Sequence, residues 1–390
     1  MRVCIVGGSI GGLTAALVLG HMGHDAEVFE RSPRELAQRG AGIGLLPETS
    51  RYLTDVAGLP LDTISIATSR IRYLARDGSI LHDEAHGYRF SSWNTVYRSL
   101  LGCLDPGRYH LGHEMTGWTD GDGGVTVSFA NGARHHADLL VCADGVASTS
   151  RERMHPGIEP RYAGYVAWRG MVRESELDSE VLTRLGDAIT YHVYANSHIL
   201  VYPIPGPGGE TAPGERSMNF VWYRNYLDGG DLTDLMTDRE GTVREVSLPP
   251  GTVDGVHVAE MRSHAAARLP AAVASVVCGA AEPFVQVVYD LDIPSMVDGR
   301  ACLLGDAAFL GRPHAAAGTA KAADDAWALG TALSRHHDVE DALRDYQSSQ
   351  VTVGRGLIER TERIGRRSQT DNSWVPGDPD LIFGLRGPGA

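Results

Sequence analysis

The sequence lacks the marks of several whole classes of protein. Its five cysteines (Cys4, Cys103, Cys142, Cys278 and Cys302) are an odd set with no Cys-x-x-Cys spacing, which excludes a disulfide framework and a cysteine metal cage. Three of them sit in apolar runs and read as buried free thiols of a reducing compartment. No apolar run approaches the roughly 18 residues of a membrane span. The opening Met-Arg-Val-Cys-Ile-Val-Gly-Gly also lacks the basic region and apolar stretch of a secretory signal. The expectation is a cytoplasmic protein with no membrane partner. Positive charge is short, since 35 basic against 49 acidic residues leave −14, and that sign opposes the counterion release that drives nucleic-acid binding. The sixteen histidines form no His-Glu-x-x-His or His-x-x-Glu-His motif, so no metal is expected. Repeats and low-complexity tracts are absent as well. What remains is 43% apolar and 22% charged over 390 residues, the composition of a globular chain long enough for two or three packed units.

Organisation shows first at the N-terminus. Arg2-Val-Cys-Ile-Val-Gly7 is a short apolar strand ending in glycine, and Leu13 to Met22 repeats at helical spacing. Ala26 to Glu30 forms a second strand, which completes a βαβ unit and implies a right-handed crossover in a parallel sheet. Near residue 70 the pattern turns to alternation, with Asp77-Gly78 and later Asn131-Gly132 as hairpin turns. Leu139-Leu-Val-Cys-Ala is again a fully apolar, parallel-type strand. From about 161 to 290 the chain is strand-rich and aromatic, which predicts a mostly antiparallel sheet with one ligand-facing side. The fold class is therefore α/β: a Rossmann-type dinucleotide-binding domain with a parallel sheet, interrupted by an antiparallel substrate domain. Residues 1–70, 92–160 and 287–345 are assigned to the first domain and 71–91 and 161–286 to the second. Residues 346–390 are assigned to a C-terminal helix and an irregular tail.

Three motifs carry the chemistry. Gly7-Gly8-Ser9-Ile10-Gly11-Gly12 follows a strand and opens a helix, and Glu30 ends the next strand, the context a dinucleotide fingerprint requires. Gly7 permits the tight turn and Gly12 the close packing of helix on strand. Ser9, in place of the usual middle glycine, and Ile10 lie where backbone N–H groups meet a pyrophosphate. Glu30, with Arg31 beside it, is placed to accept from ribose hydroxyls, which favours an adenosine without a 2′-phosphate. The second motif is Asp144-Gly-Val-Ala-Ser148-Thr-Ser-Arg151, and the third is Gly305-Asp306-Ala-Ala with Pro313 and Gly318.

Together, in this order over about 320 residues, the motifs resemble the single-component FAD-dependent aromatic hydroxylases of the p-hydroxybenzoate hydroxylase type. Phe309, Ala316 and Ala320 depart from the broad pattern. With Arg312-Pro-His-Ala-Ala-Ala-Gly318, Tyr162-Ala-Gly-Tyr-Val-Ala-Trp-Arg-Gly170 and Pro376-Gly-Asp-Pro, those departures look like the dihydroxypyridine hydroxylase branch. The resemblance implies bound FAD, transient NADPH or NADH, dioxygen, and a flavin C(4a)-hydroperoxide that hydroxylates a small electron-rich phenol or hydroxypyridine-like ring. By the same resemblance Asp306 binds the ribityl chain and Asp144 sits between flavin and nicotinamide. Arg39 lies in a loop that covers the flavin, and Ala317, Gly318 and Thr319 start a helix aimed at the ring. The rivals are other flavin chemistry, such as decarboxylative hydroxylation or epoxidation, and a flavin-binding protein without turnover. Halogenation is disfavoured because Trp-x-Trp-x-Ile-Pro is absent.

Ring hydroxylation asks the protein for a dry pocket and a group that activates a substrate hydroxyl. His314, Tyr223 and His192 are the catalytic candidates, and Tyr194, Tyr202, Trp222, Phe309 and Pro313 the substrate-contacting ones. Strand alternation restricts them: His192 and Tyr194 share one face, whereas Trp222 and Tyr223 point oppositely, so only half can meet the ligand. A homodimer is the default expectation for a soluble enzyme.

Overall fold

The computed structural model describes residues 1–36, 42–121 and 123–390. Arg39 lies outside the described residues. A six-stranded sheet carries the N-terminal unit in the order Val297–Asp298, Ala301–Leu303, Leu139–Cys142, Arg2–Val6, Asp25–Glu30, Tyr109–Leu111. Its pairs are parallel except at the Val297–Asp298 edge. The central strands are buried on both faces, which is why they read as unbroken apolar runs. Helices Ile10–His21, Gly318–Arg335 and Val339–Gln369 cover them. Cys4, Cys142 and Cys302 are free thiols buried in neighbouring strands of this sheet.

A nine-stranded sheet holds the second unit, in the order Ser247–Leu248, Phe284–Asp290, Arg161–Arg173, Ser217–Asn225, Ser197–Ile204, Ala188–Tyr194, Ile66–Leu74, Ile80–Ser92, Gly42–Gly44. All its pairs are antiparallel save Ala188–Tyr194 with Ile66–Leu74. The two faces of this sheet differ. Trp168, Phe220 and Trp222 lie on the face covered by helices Gly255–Arg268 and Ala271–Gly279. Ala167, Leu200, Tyr202, Val221 and Tyr223 lie on the opposite face, toward Ala315, Ala317 and the tail residue Phe383. Gly42–Gly44 and the start of Ile66–Leu74 belong to this sheet, so second-sheet material begins well before residue 71. The helix assigned from residue 346 begins at Val339 and runs unbroken for 31 residues. The tail beyond it is irregular apart from one short 3-10 turn, Pro379–Leu381, yet Leu381, Phe383 and Leu385 are buried. No helix among the described residues is long and apolar enough to cross a membrane.

Candidate active site

The first glycine loop is fixed by sterics. Gly7 sits at φ +103°, and a Cβ there would stand 2.2 Å from the Ala143 carbonyl oxygen. A Cβ on Gly12 would come within 1.8 Å of the Gly7 oxygen. Ser9 begins the helix Ile10–His21 but its side chain caps no N–H, so the first-turn donors stay open, which makes an anion site. Glu30, 6% exposed, accepts from Gly8 N through one oxygen and from Ser32 N through the other, both at 2.8 Å. Each oxygen keeps a second lone pair. Arg31 is exposed.

Asp144 and Asp306 play different parts. The Asp144 carboxylate accepts from the Ser148 hydroxyl at 2.6 Å, and from the Ser150 N–H and hydroxyl at 3.0 and 2.9 Å. It is absorbed in the start of helix Thr149–Met154, and it is its neighbours Ala143, Gly145 and Val146 that line the cavity. Arg151 bridges two motifs by donating to the carbonyls of Val146 at 2.7 Å and Ala307 at 3.3 Å. Asp306 lines the cavity, and its carboxylate accepts no hydrogen bond among the described residues. Burial lifts its carboxyl to about 6, Lys321 pulls it down, and Asp325 adds to the rise. Lys321, the only lysine of the chain, is 1% exposed and pairs with Asp325, whose other oxygen accepts from Gly305 N at 2.8 Å. This buried pair fixes the turn that carries Asp306.

A cavity of about 400 Å³ joins these loops to the inner face of the second sheet. Ser9, Ile10, Asp306 and Ala316–Thr319 line it from the first-sheet loops, and Phe90, Arg169, Tyr202, Tyr223 and Phe383 from the second sheet and the tail. Pro313 also lines it. The Tyr223 hydroxyl has no hydrogen-bond partner among the described residues, and burial raises its pKa, so it stays protonated. His314 packs behind Tyr223 with ring centroids 4.6 Å apart and planes tilted by 57°, and shares a 2.7 Å hydrogen bond with the Tyr165 hydroxyl. Burial drives its ring well below the ordinary histidine range, reinforced by His198 and Arg312, so it is a neutral imidazole one layer behind the cavity wall.

The chain is 37% identical over 385 residues to 2,6-dihydroxypyridine 3-monooxygenase of Paenarthrobacter nicotinovorans, covering 98% of this chain and 96% of that protein. The chain belongs to the FAD-dependent aromatic hydroxylases. The solved structure of 2,6-dihydroxypyridine-3-hydroxylase from Arthrobacter nicotinovorans superposes on this hydroxylase with a TM-score of 0.93 at 36% identity, over 99% and 97% of the two chains. 6-Hydroxynicotinate 3-monooxygenase of Bordetella bronchiseptica is 26% identical over 98% of this chain and 94% of its own length. Klebsiella pneumoniae HpxO, solved with FAD and uric acid, shares the fold at a TM-score of 0.79 and 22% identity, over 95% and 90% of the chains. The FAD binding domain-like family model matches residues 162–290. The hydroxylase uses FAD, and its own residues fit that group: an uncapped helix start faces the cavity at one point and an unpartnered carboxylate at another.

In the hydroxylase, three expected site residues lie away from the cavity. His192, Tyr194 and Trp222 occupy the outer face of the second sheet, because helices Gly255–Arg268 and Ala271–Gly279 pack there and strand alternation carries all three with them. His192 Nδ1 is bonded to the Leu74 carbonyl at 2.8 Å, and the Trp222 N–H donates to Tyr194 and Ser197. Phe309 is also misplaced by the sequence reading, since it is 1% exposed beneath the long helix, where a Cβ on Gly354 would stand 2.4 Å from its ring. Tyr202, Tyr223 and Pro313 reach the cavity. The sequence reading passed over Arg169, Phe90 and Phe383. Arg169 carried a faint signal as the one charge inside the apolar run Tyr165–Met171, and Phe383 none, because its tail has no periodicity.

Proposed function

We propose that the enzyme hydroxylates a small, electron-rich hydroxylated ring, a hydroxypyridine or phenol-like compound, at the expense of NADH or NADPH and dioxygen. The observation that carries this reading is the single cavity that joins an open helix start and Asp306 to an aromatic wall with one cation. FAD held there would supply the redox chemistry that links the nicotinamide, dioxygen and the ring. Ser9, Ile10 and Glu30 are the residues to hold the adenosine pyrophosphate end, and Asp306 the hydroxylated chain of the cofactor. The start of helix Gly318–Arg335, with Ala317, Gly318 and Thr319, sets its positive end toward the cavity and favours negative charge there. Tyr223 offers a protonated hydroxyl to a substrate oxygen, and neutral His314 with Tyr165 fixes the ring of Tyr223 from behind. Phe90, Tyr202 and Phe383 exclude water and set the plane of the substrate. The buried free thiols support a cytoplasmic location, and a homodimer remains the proposed assembly.

The test is NAD(P)H consumption by the FAD-loaded protein over a panel of hydroxypyridines, phenols and phenolic acids, with product masses. One panel member should accelerate oxidation and gain one oxygen. Loss of carbon dioxide from the product would move the reading to decarboxylative hydroxylation, and peroxide alone across the panel would remove the aromatic substrate.

A further inference from the structure

The chain holds 35 basic residues, and Lys321 is its one lysine; every other is arginine. That lysine is 1% exposed in the first turn of helix Gly318–Arg335, a position where burial and the positive end of the helix both disfavour a cation. Its ammonium pairs with the Asp325 carboxylate one turn further on, which is 0% exposed. It also stands 5.4 Å from the centre of the Phe309 ring, so the phenylalanine that departs from the wider family pattern forms one wall of the ammonium site. The other Asp325 oxygen accepts from Gly305 N at 2.8 Å, and a Cβ on Gly305 would stand 3.0 Å from that of Ala322. The helix is thus seated directly on the turn that carries Asp306.

Two carboxylates share this one ammonium. Asp325 takes the ion pair, while Asp306 is the only carboxylate that lines the cavity among the described residues and accepts no hydrogen bond from them. Lys321 favours the ionised form of Asp306, and Asp325 opposes it. Burial pushes Asp325 up as well, and Lys321 and the Gly305 N–H pull it back. The other charged and titratable groups around the turn hold one state. Arg151 is a permanent cation that donates to the Ala307 carbonyl, and Arg169 is another on the cavity wall. The Asp144 carboxylate is taken up by Ser148 and Ser150, and Asp324 by Arg386 at 2.7 Å. Burial pushes the Cys302 thiol and the Tyr346 hydroxyl up, so both stay neutral.

We propose that Lys321 is a positioning residue for the cofactor: its ammonium, buried behind the cavity, keeps the Asp306 carboxylate charged and so ready to accept from the hydroxyls of FAD, and Asp325 limits the strength of that effect. A charged acceptor holds hydroxyl donors more strongly than a neutral one, and a charge placed behind the carboxylate supplies this without filling space the cofactor needs. The inference rests on the proposed placement of Asp306 at the hydroxylated chain of FAD.

Two readouts apart from turnover test it. Lysine labelled with ¹³C at the ε-carbon gives a single resonance in this protein. In the FAD-free wild type that resonance should step as Asp306 titrates near pH 6, and the step should be absent from Asp306→Asn and from the FAD-loaded enzyme. The second readout is FAD affinity by equilibrium dialysis between about pH 5 and 8.5. Wild-type affinity should rise with pH up to about 6 and then level off. Lys321→Met should move that levelling point up by about one pH unit or more. Asp325→Asn, which can still accept from Gly305 N, should move it down. A pair with only a structural role would weaken FAD binding by the same factor at every pH in both variants. A lysine signal that stays flat in the FAD-free wild type overturns the proposal without any lysine variant, and so do levelling points that stay in place or move together. An Asp306→Asn that binds FAD as tightly as the wild type fails differently: it removes Asp306 from the cofactor, and the proposal falls with that placement.

Discussion

Asp306 is a carboxyl whose charge the folded protein resists and that, on the proposed reading, the hydroxylated chain of the cofactor would stabilise. Its folded pKa of about 6 lies above the ordinary 3.8, so the FAD-free protein loses stability as pH rises from about 4 to about 6 and levels off above. Asp306→Asn removes that cost. The FAD-free variant is expected to be at least as stable as the wild type at pH 7.5, with no advantage at pH 4, while its affinity for FAD falls about tenfold or more. Thermal unfolding across this pH range and equilibrium dialysis of FAD check the two parts. At the other end of the cavity, Tyr223→Phe keeps the ring that His314 and His198 pack against and deletes only the hydroxyl. Turnover should fall by about a hundredfold with FAD content unchanged, as steady-state kinetics and flavin absorbance will show. Asp306 was legible in the sequence because its motif sits between an apolar strand and a helix. Arg169 was not, because its place on the cavity wall is held by Gln286 and Gly42, 117 and 127 positions away.

Strand alternation in the second sheet was readable, since it put His192 with Tyr194 and set Trp222 against Tyr223. The direction of that alternation was not, because it depends on which face helices Gly255–Arg268 and Ala271–Gly279 cover, and their own sequences do not name their partner sheet. The loop before helix Gly318–Arg335 gives a second case. Ala316, where the wider family pattern has glycine, adopts φ +54°, a left-handed conformation that costs an alanine about 1–2 kcal/mol. Glycine there would relieve this and give back about 0.5–1 kcal/mol through the freer unfolded chain. Ala316→Gly is therefore expected to stabilise the protein by about 0.5–1 kcal/mol, read from urea unfolding of the FAD-free form. The departure from the family residue was visible in the sequence, and its strained backbone only in the structure.

At the scale of the whole molecule, a cavity lies between the six-stranded and nine-stranded sheets, a small three-stranded sheet stands apart from it, and the far end of the chain adds Phe383 to its lining. The βαβ start and the interrupted first unit could be read from glycine spacing and apolar runs. The place of the tail could not, because it is held by contacts unrelated to any repeat: Phe383 N–H donates to the Tyr88 hydroxyl at 3.0 Å, and Arg360 donates to the carbonyls of Gly384, Asp380 and Ile382. Phe383→Ala should open the cavity to water, so that more of the NAD(P)H consumed ends as hydrogen peroxide and less as hydroxylated product, measured by peroxide assay against product yield. The central claim, that this chain inserts an oxygen atom from dioxygen into a hydroxylated ring, is tested most directly by turnover under ¹⁸O₂ with the best ring of the panel. The account predicts a product heavier by one ¹⁸O atom and one NAD(P)H consumed per product. A product whose new oxygen comes from water, or NAD(P)H oxidation that leaves every ring unchanged, would contradict it.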